Sequence, residues 1–211
     1  MEQLGIMLVG HSHKFIFLKT KKTGGSSVEK IIVDNFFDPK VDICTGSQTD
    51  GVPMYNISNP SGHMSWNMIK SYMSRDNWES YYKFSIERNP WDKVVSQYYW
   101  KTKNNSQDFS KWLTRDNGKF TSLSDWSRYS NKDEVVLDQI IRYDNLHESL
   151  INLFNDKFGL DLTQEMLDNT KTKTGFKKKH YTELYETEQQ IELVKKYFTK
   201  EVNYFDYRYG D

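Results

Sequence analysis

The chain has 211 residues, which is enough for one domain with a substantial core. Because no linker rich in proline or glycine divides it, we predict a single domain over residues 1–211. Its 29 lysine and arginine residues balance 29 aspartate and glutamate residues, which argues against nucleic acid or an anionic membrane as a partner. The single cysteine, Cys44, excludes an internal disulfide. The sequence shows no apolar run of about 20 residues that could span a bilayer and no signal-peptide pattern, so we expect a soluble, cytoplasmic protein.

Hydrophobic patterning predicts strands that alternate with helices along the chain. Runs rich in aromatic and β-branched residues indicate strands at 14–20, 82–87 and 136–143. Apolar residues at helical spacing indicate helices at 24–36, 64–74, 91–103, 145–158 and 187–200. This alternation predicts an α/β fold with a central parallel sheet and helices on both of its faces. Segments that follow the strands would then meet at the carboxyl edge of the sheet, where such folds bind ligands.

A basic loop with two glycines, residues 22–27, connects the first predicted strand to the first predicted helix. Lys22 supplies a positive charge, the glycines let the backbone approach a ligand closely, and Ser26 and Ser27 supply hydroxyl groups. In this strand, loop and helix arrangement backbone N–H groups point toward an anion. We therefore predict a site for a phosphate-like or sulfate-like group, with a plain turn and a serine helix cap as the alternative.

A second strand-to-helix junction, residues 82–99, carries another candidate anion contact. Arg88 follows the strand, Pro90 suits the first turn of the helix, and Ser96 lies further along that helix. A guanidinium and a hydroxyl are both good phosphate ligands, so we predict that Arg88 and Ser96 converge on one anion. An ordinary surface ion pair is the alternative for Arg88.

Both junctions resemble motifs of sulfotransferases that use 3′-phosphoadenosine 5′-phosphosulfate (PAPS). Residues 22–27 are similar to the 5′-phosphosulfate loop of carbohydrate sulfotransferases, with Lys21 where proline is common. Residues 88–99 are similar to the 3′-phosphate motif of that family, with Lys93 where arginine is common. The resemblance implies a P-loop-like three-layer sandwich, a PAPS donor that leaves as 3′-phosphoadenosine 5′-phosphate (PAP), and no metal.

The resemblance also implies roles for individual residues. Lys22 would neutralise charge on the transferred group during an in-line attack, and Arg88 and Ser96 would hold the 3′-phosphate. The residues implied at the 5′ end of the donor are Lys22, Thr23, Gly24, Gly25, Ser26 and Ser27.

A lysine-rich segment near the C-terminus, residues 169–180, matches a region of the family that tends to fold over the nucleotide. Lys171, Lys173 and Lys177 are therefore candidate contacts of the donor, and a solvated run of charges is the alternative.

An acceptor hydroxyl needs a base as it attacks, and histidine titrates close to neutral pH. Among five histidines, His63 follows a glycine between the two motifs, and this placement resembles that of the proposed catalytic histidine in uronyl 2-O-sulfotransferase-like enzymes. We predict His63 as the general base and Glu87 as the second choice. We expect His11 and His13 to precede the first strand in a loop, and His147 to be structural.

Together these features predict an enzyme, a PAPS-dependent sulfotransferase that acts on a hydroxyl-bearing acceptor, with a carbohydrate favoured. One alternative is a kinase-like phosphoryl-transfer enzyme, which would need Mg²⁺-binding carboxylates and a Walker-type lysine that the sequence does not show at the expected spacing. Another is a non-catalytic module that only holds a nucleotide or a sulfated glycan.

Overall fold

A computed structural model describes residues 7–46, 51–57, 64–102, 108–115, 120–170 and 179–211. Its strands are β1 (Met7–Gly10), β2 (Phe15–Leu18), β3 (Ile43–Cys44), β4 (Tyr82–Glu87), β5 (Ser130–Asn131), β6 (Glu134–Val135) and β7 (Gln139–Arg142). Its α-helices are α1 (Gly25–Asn35), α2 (Trp66–Ser71), α3 (Arg75–Ser80), α4 (Pro90–Thr102), α5 (Phe109–Arg115), α6 (Trp126–Tyr129), α7 (Leu146–Asn152), α8 (Gln164–Asn169), α9 (Glu188–Tyr197) and α10 (Thr199–Phe205). A π-helical turn, Leu153–Lys157, continues α7.

The chain divides into two compact units. The first consists of Met1–Glu87 and Ser127–Thr172, and the second of Arg88–Trp126 and Lys173–Asp211. A single domain over residues 1–211 stays a prediction.

The first unit contains a five-stranded mixed sheet in the order β3-β1-β2-β4-β7. β2, β4 and β7 run parallel to one another, whereas β1 lies antiparallel to β2 and β3. Strand β1 was not predicted, because its four residues are buried and show no alternation of apolar and polar side chains. His11 and His13 consequently lie in the turn between β1 and β2, not ahead of the first strand as predicted.

Helices α1 and α7, with α8 beside them, share an apolar core with this sheet. In α1 the buried residues Val28, Ile31 and Ile32 follow helical spacing and form one stripe. The sheet residues of the same core are Leu8, Phe15, Phe17, Phe84, Ile86 and Ile141. The predicted α/β class with a central sheet flanked by helices is confirmed. The strands predicted from sequence, β2, β4 and β7, are parallel, and β1 and β3 make the sheet mixed.

The second unit is built from helices α4, α5, α9 and α10 around a core rich in aromatic residues. The indole N–H of Trp91 on α4 donates to the carbonyl of Ile191 on α9 at 3.0 Å. The Tyr185 hydroxyl donates to the carbonyl of Trp91, also at 3.0 Å. These bonds satisfy the indole N–H and the phenol hydroxyl, which are buried together with their aromatic rings, and they fix the start of α4.

Of two predicted helices, one is shorter than predicted and the other is divided. The predicted helix at 64–74 ends at Ser71, and α3 starts anew after Ser74, whose hydroxyl accepts the N–H of Asn77 at 3.2 Å. The predicted helix at 187–200 is broken at Phe198 between α9 and α10. A side chain that caps a helix satisfies an N–H group that has no partner inside the helix, which explains the new start at Ser74.

Candidate active site

Three parallel strands end at the same edge of the sheet in the first unit. Leu18 of β2 pairs with Ser85 of β4, and Glu87 of β4 pairs with Arg142 of β7. The Ser85 hydroxyl also donates to the Leu18 carbonyl at 2.7 Å. The loop that follows β2 therefore begins beside the last residues of β4, which is where parallel α/β sheets place ligands.

The 22–27 loop has the backbone shape of an anion-binding turn. Lys22 and Gly24 both have positive φ angles, +60° and +74°, and helix α1 begins at Gly25 with Gly24 as its N-cap. The N–H groups of Ser27 and Val28 donate to the Gly24 carbonyl at 2.9 and 3.3 Å. The N–H groups ahead of them have no carbonyl partner within a helix, and a glycine cap has no side chain to accept from them. Such N–H groups and the positive end of the helix dipole are the features with which a helix start can bind an anion.

Two threonines fix the base of this loop. The Thr20 hydroxyl bonds to the carbonyl of Ile86 in β4 and to the Thr23 hydroxyl at 2.9 Å, and the Thr23 hydroxyl donates to the carbonyl of Thr20 at 3.1 Å. Thr23 is 1% exposed. The Thr23 side chain therefore holds the loop to Thr20, which is itself bonded to β4.

The two glycines of the loop face different neighbours. A Cβ atom on Gly24 would lie 3.3 Å from the ring of Tyr143, whereas one on Gly25 would lie 2.6 Å from Cγ of Lys19. Gly24 is exposed and Gly25 is buried, while Lys22, Ser26 and Ser27 are half-buried. The exposed side of the loop is thus formed by Gly24 and by the half-buried lysine and serines.

A buried carboxylate lies where β4 ends. Glu87 is 1% exposed and accepts a hydrogen bond from the Tyr129 hydroxyl at 3.1 Å. Tyr129 is itself fully buried. Burial of a carboxylate is tolerated when hydrogen bonds compensate for lost water, so the phenol stabilises Glu87 at this edge.

In the second unit, Arg88 lies just before α4 and is held by a carboxylate of that helix. Its Nε and Nη2 atoms lie 2.7 and 2.6 Å from Oδ2 of Asp92, four residues later. Arg88 is only 6% exposed. Asn89 accepts the N–H of Trp91 at 3.1 Å and so caps the first turn. Ser96, predicted to join Arg88, is half-buried on α4.

Lys93, which stands where the sulfotransferase motif often has arginine, makes a different contact. Its Nζ lies 2.8 Å from Oδ2 of Asp125, and both side chains are 0% exposed. A cation in such a pair is committed to its partner, because separating the two would leave a buried charge. The geometry therefore makes Lys93 a structural residue of the second unit.

A family model matches almost the whole chain: the model of the sulfotransferase family covers residues 7–208. The chain belongs to the sulfotransferase family. A protein of Archaeoglobus fulgidus with no characterised function is 30% identical over 117 residues, which cover 53% of this chain and 95% of that protein. Among solved structures, mouse sulfotransferase SULT7A1 complexed with PAP aligns with 94% of this chain and 87% of its own, at 15% identity and a TM-score of 0.49.

In this sulfotransferase the predicted contacts of the donor's 5′ end form one continuous loop in the first unit, whereas Arg88 and Ser96 belong to the second. His63, Lys171, Lys173 and Lys177 lie outside the described residues.

His11 and His147 have ordinary hydrogen-bond partners. In the turn after β1, Nδ1 of His11 lies 2.8 Å from the Tyr81 hydroxyl. Nδ1 of His147 lies 2.9 Å from the amide nitrogen of Gln164, and a structural role for His147 stays a prediction.

Sequence reasoning missed the residues around the 22–27 loop and the residue that bonds to Glu87. Lys19 and Thr20 precede the motif directly, and their polar character at the end of an apolar strand was a usable signal. Tyr129 and Tyr143 carry no such signal, because their positions depend on how distant segments of the chain meet.

The described parts of the chain contain no group of three or more His, Cys, Asp or Glu side chains arranged to hold a metal ion. No helix formed by the described residues has the length and apolar composition needed to cross a bilayer.

Proposed function

We propose that this sulfotransferase transfers a sulfuryl group from PAPS to a hydroxyl-bearing acceptor, with a carbohydrate as the favoured class. The observation that supports the donor most directly is the 22–27 loop, with positive φ angles at Lys22 and Gly24 immediately before α1. The PAPS donor supplies the sulfuryl group, whose bond to the phosphate breaks as the acceptor oxygen attacks the sulfur. PAP is then the product.

Lys22 is the proposed electrostatic catalyst. Its side chain starts from the loop that we assign to the 5′-phosphosulfate, so its ammonium would stabilise negative charge that grows on the oxygens during transfer. The N–H groups at the start of α1, with Ser26 and Ser27, would hold the same end of the donor. Preorganised charge of this kind is effective because it needs no rearrangement when the reaction occurs.

Arg88 and Ser96 are the proposed ligands of the 3′-phosphate. The Arg88–Asp92 pair gives the guanidinium a fixed orientation, and a fixed guanidinium loses little entropy when it binds phosphate. Lys171 and Lys173 are proposed as additional contacts of the nucleotide, on the resemblance of their segment alone.

His63 is proposed as the general base that takes the acceptor proton, and Glu87 is the alternative. Glu87 is 1% exposed and is hydrogen-bonded to Tyr129, so it would need access to the acceptor before it could accept a proton. That burial favours His63.

Calorimetry tests the donor assignment. PAP is expected to bind without added metal, and ATP is expected to bind much more weakly. A preference for ATP with Mg²⁺ would favour phosphoryl transfer instead. Transfer of labelled sulfuryl groups from PAPS to a panel of glycans then tests catalysis. PAP binding without transfer to any acceptor would favour a binding module.

Lys22→Ala tests the electrostatic role. We expect turnover to fall by about 100-fold or more, as when a preorganised donor is removed from an oxyanion site. Lys30→Ala is the matched control, because it removes the same charge from a partly exposed lysine of α1 that pairs with Asp34 at 2.8 Å. Near-normal turnover of Lys22→Ala would refute the assignment.

His63→Ala and Glu87→Gln identify the base. If His63 is the base, its removal abolishes most turnover and leaves PAP affinity intact, whereas Glu87→Gln retains turnover in the folded protein. The reverse result assigns the base to Glu87.

A further inference from the structure

A buried lysine connects the two sides of the 22–27 loop. Lys19 follows the last residue of β2, and its Nζ lies 3.1 Å from Oε2 of Glu29 on α1. The side chains are 6% and 0% exposed. The five residues between Lys19 and Gly25 form the turn from strand to helix, so this ion pair closes the turn at its base.

The path of the Lys19 side chain is defined along its whole length. A Cβ atom on Gly25 would lie 2.6, 3.1 and 3.3 Å from Cγ, Cδ and Cε of Lys19. Gly25 and Glu29 are four residues apart and therefore share one face of α1. The aliphatic part of Lys19 thus packs on the first residue of the helix, and its ammonium reaches the carboxylate one turn later.

The Glu29 carboxylate is fixed from a second side. The thiol of Cys44 on β3 donates to Oε1 of Glu29 at 3.4 Å, while Oε2 bonds to Lys19. Cys44 is 0% exposed, and burial, reinforced by the nearby Glu29 charge, raises the pKa of the Cys44 thiol. The thiol therefore keeps the proton that it donates.

We propose that the Lys19–Glu29 ion pair positions the 22–27 loop for the donor, by setting the distance between the end of β2 and the first turn of α1. Lys19 and Glu29 are positioning residues, since they act through Lys22 and the N–H groups of the loop and touch no reacting atom. The role rests on the proposed function, because it matters only if this loop binds the donor.

The direction in which PAP affinity changes in Glu29→Gln distinguishes a positioning role from a simple effect of charge. Glu29→Gln removes a negative charge near the proposed anion site, so a Coulomb effect alone would tighten PAP binding. Loss of positioning has the opposite effect, because the loop loses the contact that fixes its geometry. We expect PAP affinity to fall by about tenfold or more, as when charge-assisted hydrogen bonds to a ligand lose their alignment. The KM for PAPS is expected to rise while kcat falls.

A double variant separates positioning from stability. Lys19→Met with Glu29→Leu leaves the net charge unchanged and fills the same space with apolar groups, and such replacements often preserve stability. We expect its melting temperature to approach that of the wild type while its PAP affinity stays low. If both recover, the ion pair serves only to stabilise the fold and the proposal is wrong.

Two further variants keep the test decisive. Glu29→Asp retains the charge and shortens the side chain by one methylene, so the positioning role predicts weaker PAP binding in this variant. This test does not depend on whether the double variant folds. Asp138→Asn breaks the Lys83–Asp138 pair of the same unit, which is 3.0 Å long and lies at the start of β4, and it should leave PAP affinity unchanged.

The outcomes separate the two proposals. A wild-type protein that does not bind PAP removes the proposed function and this role together. A wild type that binds PAP, with Glu29→Gln and Glu29→Asp binding equally well or more tightly, removes only the positioning role. An equal loss of affinity in Asp138→Asn would also refute positioning, since any loss of stability would then have the same effect.

Discussion

The replacement Gly25→Ala tests how tightly the 22–27 loop is packed. The added Cβ would lie 2.6 Å from Cγ of Lys19, whereas carbon atoms in contact are normally about 3.5–4.0 Å apart. Lys19 has little freedom to move, because it is 5% exposed and its ammonium lies 3.1 Å from Glu29. About 1 Å of displacement must therefore be shared between the lysine and the start of α1.

The expected magnitude follows from two opposing terms. Overpacking a well-filled site costs about 1–3 kcal/mol, and alanine is better than glycine in a helix by about 0.5–1 kcal/mol. The net loss in the free energy of unfolding is then about 0–2.5 kcal/mol, which lowers the melting temperature by at most roughly 10 °C for a chain of this size. Displacement of the loop should in addition reduce turnover by about 100-fold.

Thermal unfolding measures the loss of stability, and turnover of PAPS measures the effect of loop displacement; calorimetry with PAP shows whether donor affinity also falls. Gly159→Ala is the control, because Gly159 has φ +65° and no atom lies within 4 Å of an added Cβ. It should lose about 1–2 kcal/mol through backbone strain and keep its PAP affinity. A Gly25→Ala protein that is more stable than the wild type, or that binds PAP normally, would show that Lys19 does not constrain the loop.

Three other predictions follow from buried polar groups. Lys93→Met removes the Lys93 cation from buried Asp125 and should lower the free energy of unfolding by about 3–5 kcal/mol, measured by urea unfolding. The double variant Lys93→Met with Asp125→Leu should restore most of this loss, and a double variant no more stable than the single one would contradict the prediction. Because burial raises the pKa of Cys44 above its ordinary 9.0, the folded state holds this proton more tightly. Its stabilising effect is complete below pH 9 and declines above it by about 1.4 kcal/mol per pH unit. The difference in stability between wild type and Cys44→Ala should therefore shrink from pH 9 upward, and a constant difference would be inconsistent with a buried thiol. Tyr129→Phe removes the hydroxyl that bonds to buried Glu87 and should cost about 1–3 kcal/mol in chemical denaturation, whereas an unchanged midpoint would mean that Glu87 does not need this bond.

The elements beside the candidate site were predictable because their signals are local. The predicted strand at 82–87 coincides with β4 (Tyr82–Glu87), and the predicted helix at 24–36 differs from α1 (Gly25–Asn35) by one residue at each end. Apolar spacing, a glycine pair and a proline at the start of α4 act within a few residues of the chain. The same local motifs, at 22–27 and 88–99, led to the sulfotransferase family, which the family model confirms.

The sequence by itself thus determined the α/β class, the family and the position of the 22–27 loop between β2 and α1. The tertiary structure decided that the Thr23 hydroxyl turns inward, that Lys93 pairs with Asp125 and that Tyr129 reaches Glu87 from 42 residues away. It also decided that four apolar residues near the N-terminus form β1, antiparallel to β2. Each of these contacts joins groups that are distant in sequence, and it forms only when the strands pair in register and buried charges pair with one another. These pairings depend on the complete fold, because only the assembled core excludes water and makes an unpaired polar group costly.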